Sequence, residues 1–163
     1  MEKSNNEVLK ITRTFNAPKQ EVWKAWIDAE IVKQWWGPKS YTSPFVTIDF
    51  REGGKYLYCM RSPEGKDYWS TGKYKEIVPF EKIVLSDSFA DEKGNVVPVS
   101  YYGMESDLPL ELEIELIFEE EDGRTRFTLR HKGFPSKRDH DDVRQGWNES
   151  LDKLEQVLQT QYA

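Results

Sequence analysis

Cysteine is nearly missing from this chain: Cys59 stands alone among 163 residues. An internal disulfide is therefore excluded, and a reducing compartment, the cytoplasm, is the expected setting. Histidine is almost as scarce, with only His131 and His140, and neither has a metal-ligand spacing with Cys59. No metal and no cofactor are expected. Positive charge is not in excess either. Lys and Arg number 23 against 29 Asp and Glu, a net charge of −6, which argues against nucleic acid or an anionic membrane as the main partner. No apolar run approaches the length of a membrane span, and the opening MEKSNNEV lacks the apolar centre of a secretion signal. A phosphate-binding glycine loop is missing, because Gly53-Gly54 lies between two predicted strands and offers no helix N-terminus to an anion. There are no internal repeats, low-complexity tracts or linkers, so one domain over residues 1–163, a monomer or weak dimer, is the expectation.

Aromatic residues are plentiful: they make up 13% of a chain that is also 32% charged, a well-supplied interior inside a solvated shell. The stretch Asp139 to Tyr162 organises the rest. Val143, Trp147, Leu151, Leu154 and Leu158 recur at steps of four, four, three and four, one apolar stripe on a helical face. Asp139 reads as its N-cap. Such a helix, about 30 Å long for roughly twenty residues, needs a broad apolar partner. The preceding chain supplies one.

Val8 to Phe15 alternates with period two, with Leu9, Ile11, Arg13 and Phe15 on one side. Asn16 reads as the cap of a helix with Pro18 in its first turn and Val22, Trp23, Trp26 and Ile27 on one face. Asp28 caps a second, short helix that Gly37-Pro38 stops. Strands follow: Val46, Ile48 and Phe50 alternate, then Tyr56, Tyr58 and Met60, then Tyr68 to Ile77 and Ile83 to Phe89. Gly72 leaves space for something to approach the backbone. Leu110, Leu112, Ile114, Leu116 and Phe118 alternate with glutamates, which leaves a glutamate ladder on the other face, read as solvated. Asp122-Gly123 marks a tight hairpin, and Phe127, Leu129 and His131 continue on the return strand. Asp91 to Pro109 is long for a hairpin connection and rich in Tyr101, Tyr102 and Met104; it is expected to be either a lid over a cavity or a fixed plug. Gly146, inside the long helix, is expected to accommodate a ring from the sheet or a kink, or else to let a ligand approach.

Arg13-x-Phe15-x-Ala17-Pro18, Val22-Trp23-x-Ala25-Trp26, Trp35-Trp36-Gly37-Pro38, Asp49-x-Arg51-x-Gly53-Gly54, Gly72-x-Tyr74-x-Glu76-Ile77-x-Pro79, Gly133-Phe134 and Gly146-Trp147-x-x-x-Leu151 follow one another in this order. The pattern resembles the START-like (SRPBCC, birch-pollen-allergen-like) superfamily, and within it the homologues of the heat-shock-protein-90 ATPase activator. The resemblance implies an α+β helix-grip fold: a curved antiparallel sheet wrapped around the long C-terminal helix, with two short helices after the first strand and a cavity between sheet and helix. Members of the superfamily carry lipids, sterols, polyketides or plant hormones, and some are cyclases or aromatases. A full co-chaperone would be expected to carry a further N-terminal domain, for which this chain has no room.

Candidate cavity residues follow from the inward faces: Trp36, Tyr56, Tyr58, Met60, Tyr74, Phe89, Tyr102, Met104, Leu112, Leu116, Phe127, Leu129, Trp147 and Leu151. Tyrosine and tryptophan suit a pocket because each joins an apolar body to a polar tip, although any one of these rings can equally fill the core. Arg13, Asp87 and His131 are the polar groups on inward strand faces, able to orient a ligand or to form an internal ion pair. No residue is assigned as catalytic; Cys59, facing away from Tyr58 and Met60, has no base beside it. The favoured reading is a non-enzymatic binding protein for a small apolar or aromatic molecule. Its rivals are a polyketide cyclase or aromatase-like enzyme using the same cavity, and a stress-related or chaperone-associated interaction protein with a packed interior. No protein partner is identifiable.

Overall fold

Alternating apolar residues give the strands an apolar face, and those faces share one side of a seven-stranded antiparallel sheet. The computed structural model describes residues 7–162 apart from 105, 107 and 136. The elements run β1 (Glu7–Phe15), α1 (Lys19–Ile27), α2 (Ala29–Trp35), β2 (Thr42–Ile48), β3 (Lys55–Arg61), β4 (Asp67–Val78), β5 (Lys82–Ala90), β6 (Leu112–Glu121), β7 (Arg124–Phe134) and α3 (Lys137–Tyr162). This is the predicted order of strand, two helices, six strands and a long helix. From β2 to β7 each strand pairs with its sequence neighbour, and β1 closes the far side by pairing with β7. The curved sheet grips α3, as the helix-grip expectation requires.

Register aligns the apolar faces in rows. Ile114 sits opposite both Leu85 and His131, and Leu116 sits opposite Ile83 and Leu129. Onto these rows α3 lays Trp147, Leu151, Leu154 and Leu158, none more than 7% exposed. The helices α1 and α2 fill one end of the grip with indoles. Trp23 meets Phe118, Trp26 stacks on Phe127, and Trp35 packs edge-on to Trp26 while donating from Nε1 to the Ala25 carbonyl at 3.1 Å. Asp122 and Gly123 both adopt positive φ, the geometry that a two-residue turn needs to match strand twist.

The glutamate ladder is neutralised across the strands. Lys75 and Lys132 approach Glu113 at 3.3 and 3.6 Å, and Arg130 approaches Glu115 at 3.7 Å. Each such exposed pair stabilises by no more than about 1 kcal/mol.

The helix starts differ from expectation in two places. Asp28 caps α2 as predicted, accepting from the Glu30 N–H at 2.9 Å. Asn16 does not cap α1; Pro18 holds that position, because its fixed φ already supplies the entry angle. In α3 the first turn reaches back to Lys137, so Asp139 lies inside that turn, where the helix dipole favours its charge. Leu110, predicted to open the alternating face of β6, instead precedes the strand and is 56% exposed. Phe50 likewise lies beyond β2, partly buried, its ring against Trp23 and Tyr74.

Candidate functional site

The grip is not filled throughout. Between the open half of the sheet and the first half of α3 lies a cavity of about 290 Å³. Trp36, Gly37 and Pro38 form one wall as the chain leaves α2; Met60, Ser70, Phe89 and Leu112 come from the sheet; Val143, Gly146, Trp147 and Ser150 come from α3. The last four recur at helical spacing, so α3 presents one continuous strip. The wall after α2 is clamped to the helix. Lys153 Nζ donates to the Pro38 and Tyr41 carbonyls, each at 3.1 Å, and Glu149 accepts the Lys39 N–H at 3.0 Å. Partial burial among these carbonyls lowers the Lys153 pKa.

A polar chain crosses the floor. Trp147 Nε1 donates to His131 Nδ1 at 3.0 Å. An indole N–H can only donate, so Nδ1 must accept, which places the imidazole proton on Nε2. That atom stands 3.1 Å from Asp87 Oδ2. The contact is close but misdirected for a hydrogen bond, and the buried Nε2 has no partner in good geometry. Tyr56 approaches Asp87 Oδ1 from behind at 3.4 Å while donating its shorter bond, 2.8 Å, to the Ser86 carbonyl. Burial, reinforced by the Asp87 charge, raises the Tyr56 hydroxyl well above the usual tyrosine range, so it remains a donor.

Of the residues nominated from sequence, Trp36, Met60, Phe89, Leu112, Trp147, Asp87 and His131 converge on this space. Tyr56, Tyr58, Tyr74, Leu116, Phe127, Leu129 and Leu151 do not line it. They are nearly inaccessible in the packed core, where the ring of Trp36 lies 4.5 Å from Tyr58, Trp26 stacks on Phe127 and Phe50 meets Tyr74 edge-on. Arg13 is a correction to the polar trio. Its long side chain leaves the sheet edge and reaches α3, where it pairs with Asp152 at 2.8 Å and approaches Glu155 at 3.5 Å.

The segment between β5 and β6 contributes Val97, Val99 and Leu108 to Leu110 to the cavity, not the residues first expected. Tyr102 is fixed behind that wall, its hydroxyl inserted between paired strands where it accepts the Trp69 N–H at 3.0 Å and donates to the Ala90 carbonyl. Tyr101 and Met104 face outward, 58% and 37% exposed. Sequence reasoning also passed over Ser70, Phe134 and Ser150. Ser70 was readable, since it alternates with Tyr68 and Gly72, but a lone serine carries no apolar signal.

Residues 16–159 match the family of activator of Hsp90 ATPase homolog 1-like (AHSA1) proteins. The chain belongs to this family. Among curated proteins, none matches it significantly. Solved structures similar to it include the AHSA1 protein of Silicibacter pomeroyi, at 22% identity and a TM-score of 0.77, covering 95% of this chain and 99% of that one. A protein from Arthrobacter aurescens is similar at 26% identity and a TM-score of 0.77, over 94% and 86% of the two chains. CalU16 from Micromonospora echinospora is similar in fold at 22% identity and a TM-score of 0.65, over 94% and 76%.

In this AHSA1-like chain the sole thiol takes no part in the cavity. Cys59 is buried on the opposite face of β3, and its pKa is pushed up to about 11, chiefly by burial and then by the charge of Asp67. No helix among the described residues is long and apolar enough to cross a membrane.

Gly146 has a plainer role than a close ring contact would give it. Outside its own helix, a Cβ there would meet only Pro38 Cγ, at 3.8 Å, ordinary contact across the cavity. Gly146→Ala should therefore stabilise the AHSA1-like fold by up to about 1 kcal/mol through helix propensity. Urea denaturation checks this; a loss of stability would mean that the backbone at this point resists alanine.

Proposed function

We propose that this chain is a binding protein for a small, largely apolar molecule, held between sheet and α3, without catalytic activity of its own. One observation carries the reading: an apolar-walled cavity in which Trp147, His131 and Asp87 meet at a single polar point. Sites for small ligands have this composition, with apolar walls for affinity and a few converging polar groups for orientation. The reading takes the chain as one domain in a reducing cytoplasm, with its lone cysteine buried.

A second reading, an acid–base enzyme of the cyclase kind, draws on the Asp87–His131 contact. It is weighed down by Trp147, whose N–H takes the lone pair of Nδ1 and, with the proton on Nε2, leaves the ring no free basic nitrogen.

Native mass spectrometry of the purified protein tests the proposal. A co-purified small molecule is expected, lost in Gly146→Leu, whose side chain would enter the cavity from a helix that leucine favours. A protein free of any adduct that also fails to take up added apolar compounds would favour an interaction protein instead.

A further inference from the structure

The cavity's charge is one-sided. Asp87 lies at its floor and Asp142 at its rim, and among the described residues no lysine or arginine lines it. Asp87 is poorly supplied with donors. Its side chain is 21% exposed, Tyr56 reaches it only at 3.4 Å, and the His131 Nε2 contact at 3.1 Å is misdirected. The Trp147 N–H takes the lone pair of His131 Nδ1 at 3.0 Å, so the ring faces Asp87 only with its misdirected Nε2–H. A half-buried carboxylate seeks donors and repels anions, and does so more strongly between apolar walls than in water.

From this, and resting on the binding function proposed above, we infer that the ligand is an apolar or aromatic body ending in a hydrogen-bond donor, a hydroxyl or an amine, and that carboxylate-ended molecules such as fatty acids are rejected. A hydroxyl donates its hydrogen to Asp87, whose side chain is open to the cavity. A protonated amine does the same and adds an ion pair. An ionised carboxylate offers Asp87 no hydrogen and brings a second negative charge against it.

Calorimetric titration with three probes of matched body separates these cases: naphthalenemethanol, naphthylmethylamine and naphthoate, at neutral pH. The alcohol and the amine are expected to bind at least about ten-fold more tightly than the carboxylate, a ratio equivalent to about 1.4 kcal/mol. Binding of naphthoate equal to or tighter than the other two would overturn the inference while leaving the cavity reading intact. Failure of all three at millimolar concentration would overturn the cavity reading, and the inference with it. Asp87→Asn removes the charge and nearly preserves shape. It should erase the preference for the amine over the carboxylate, with an unchanged thermal midpoint showing that the fold survives. An undiminished preference in that variant would show that Asp87 is not the selecting group.

Discussion

Replacing Trp147 by alanine should remove about 3–5 kcal/mol of stability, a fifth or more of the roughly 5–15 kcal/mol typical of a folded domain. The indole is only 7% exposed, and it joins three parts of the molecule. Its ring lies 5.4 Å from Trp36, just past the end of α2, 6.0 Å from Trp26 in α1, and 6.0 Å from His131 in β7. Its truncation leaves a void continuous with the existing cavity and strips His131 Nδ1 of its donor. Trp147→Phe keeps one aromatic ring but loses the N–H bond and the rest of the bicyclic indole, so a smaller loss of about 1–3 kcal/mol is expected. Urea melts of both variants read the difference. A loss below about 1 kcal/mol for the alanine variant would mean that the indole borders open space rather than supporting the core.

Gly72→Ala is expected to be nearly as damaging, although it adds a single methyl. An ideal Cβ at this position would stand 1.9 Å from the Ser86 carbonyl oxygen and 2.7 Å from Tyr56 Cε2. The first neighbour is backbone and cannot rotate away. The second is the ring that crosses over Gly72 to donate its hydroxyl to that same carbonyl at 2.8 Å. The methyl must therefore displace β5 or expel Tyr56. Overpacking costs about 1–3 kcal/mol and a lost buried hydrogen bond about as much again, so roughly 3 kcal/mol or more is expected in urea denaturation. The variant also links core to cavity: Tyr56 touches Asp87, so a displaced ring should weaken ligand binding even where the fold persists. A Gly72→Ala protein with wild-type stability would show that β4 and β5 can separate locally without loss.

Period-two alternation in β1 and β6, the four-and-three steps of α3, the Asp28 cap and the Asp122-Gly123 turn are all relations between residues a few positions apart. Such relations are written in the chain itself, which is why the elements and their inward faces were legible. The inward position of Asp87 and His131 followed from the same alternation. The caps of α1 and α3 were misplaced because Asn and Asp near a helix start are preferred capping residues whether or not the helix begins there.

Which inward side chains are packed and which border empty space was a different matter. Tyr58 and Met60 share one face of β3, yet the ring of Trp36 covers Tyr58 while Met60 stays on the cavity wall. Arg13 shares a strand face with Ile11, yet it escapes the interior because its strand lies at the sheet edge, within reach of acidic groups on α3. Tyr102, expected in a lid or plug, is held instead by two backbone groups of the sheet, those of Trp69 and Ala90. Each of these outcomes depends on where a third element comes to rest. Sequence alone determined the strands, the helices and the faces they turn inward, because those follow from local periodicity and burial. Only the tertiary structure decided where the grip is full, where it stays open, and that Trp147, His131 and Asp87 meet at the opening, because contact between residues remote in the chain is set by how whole elements pack.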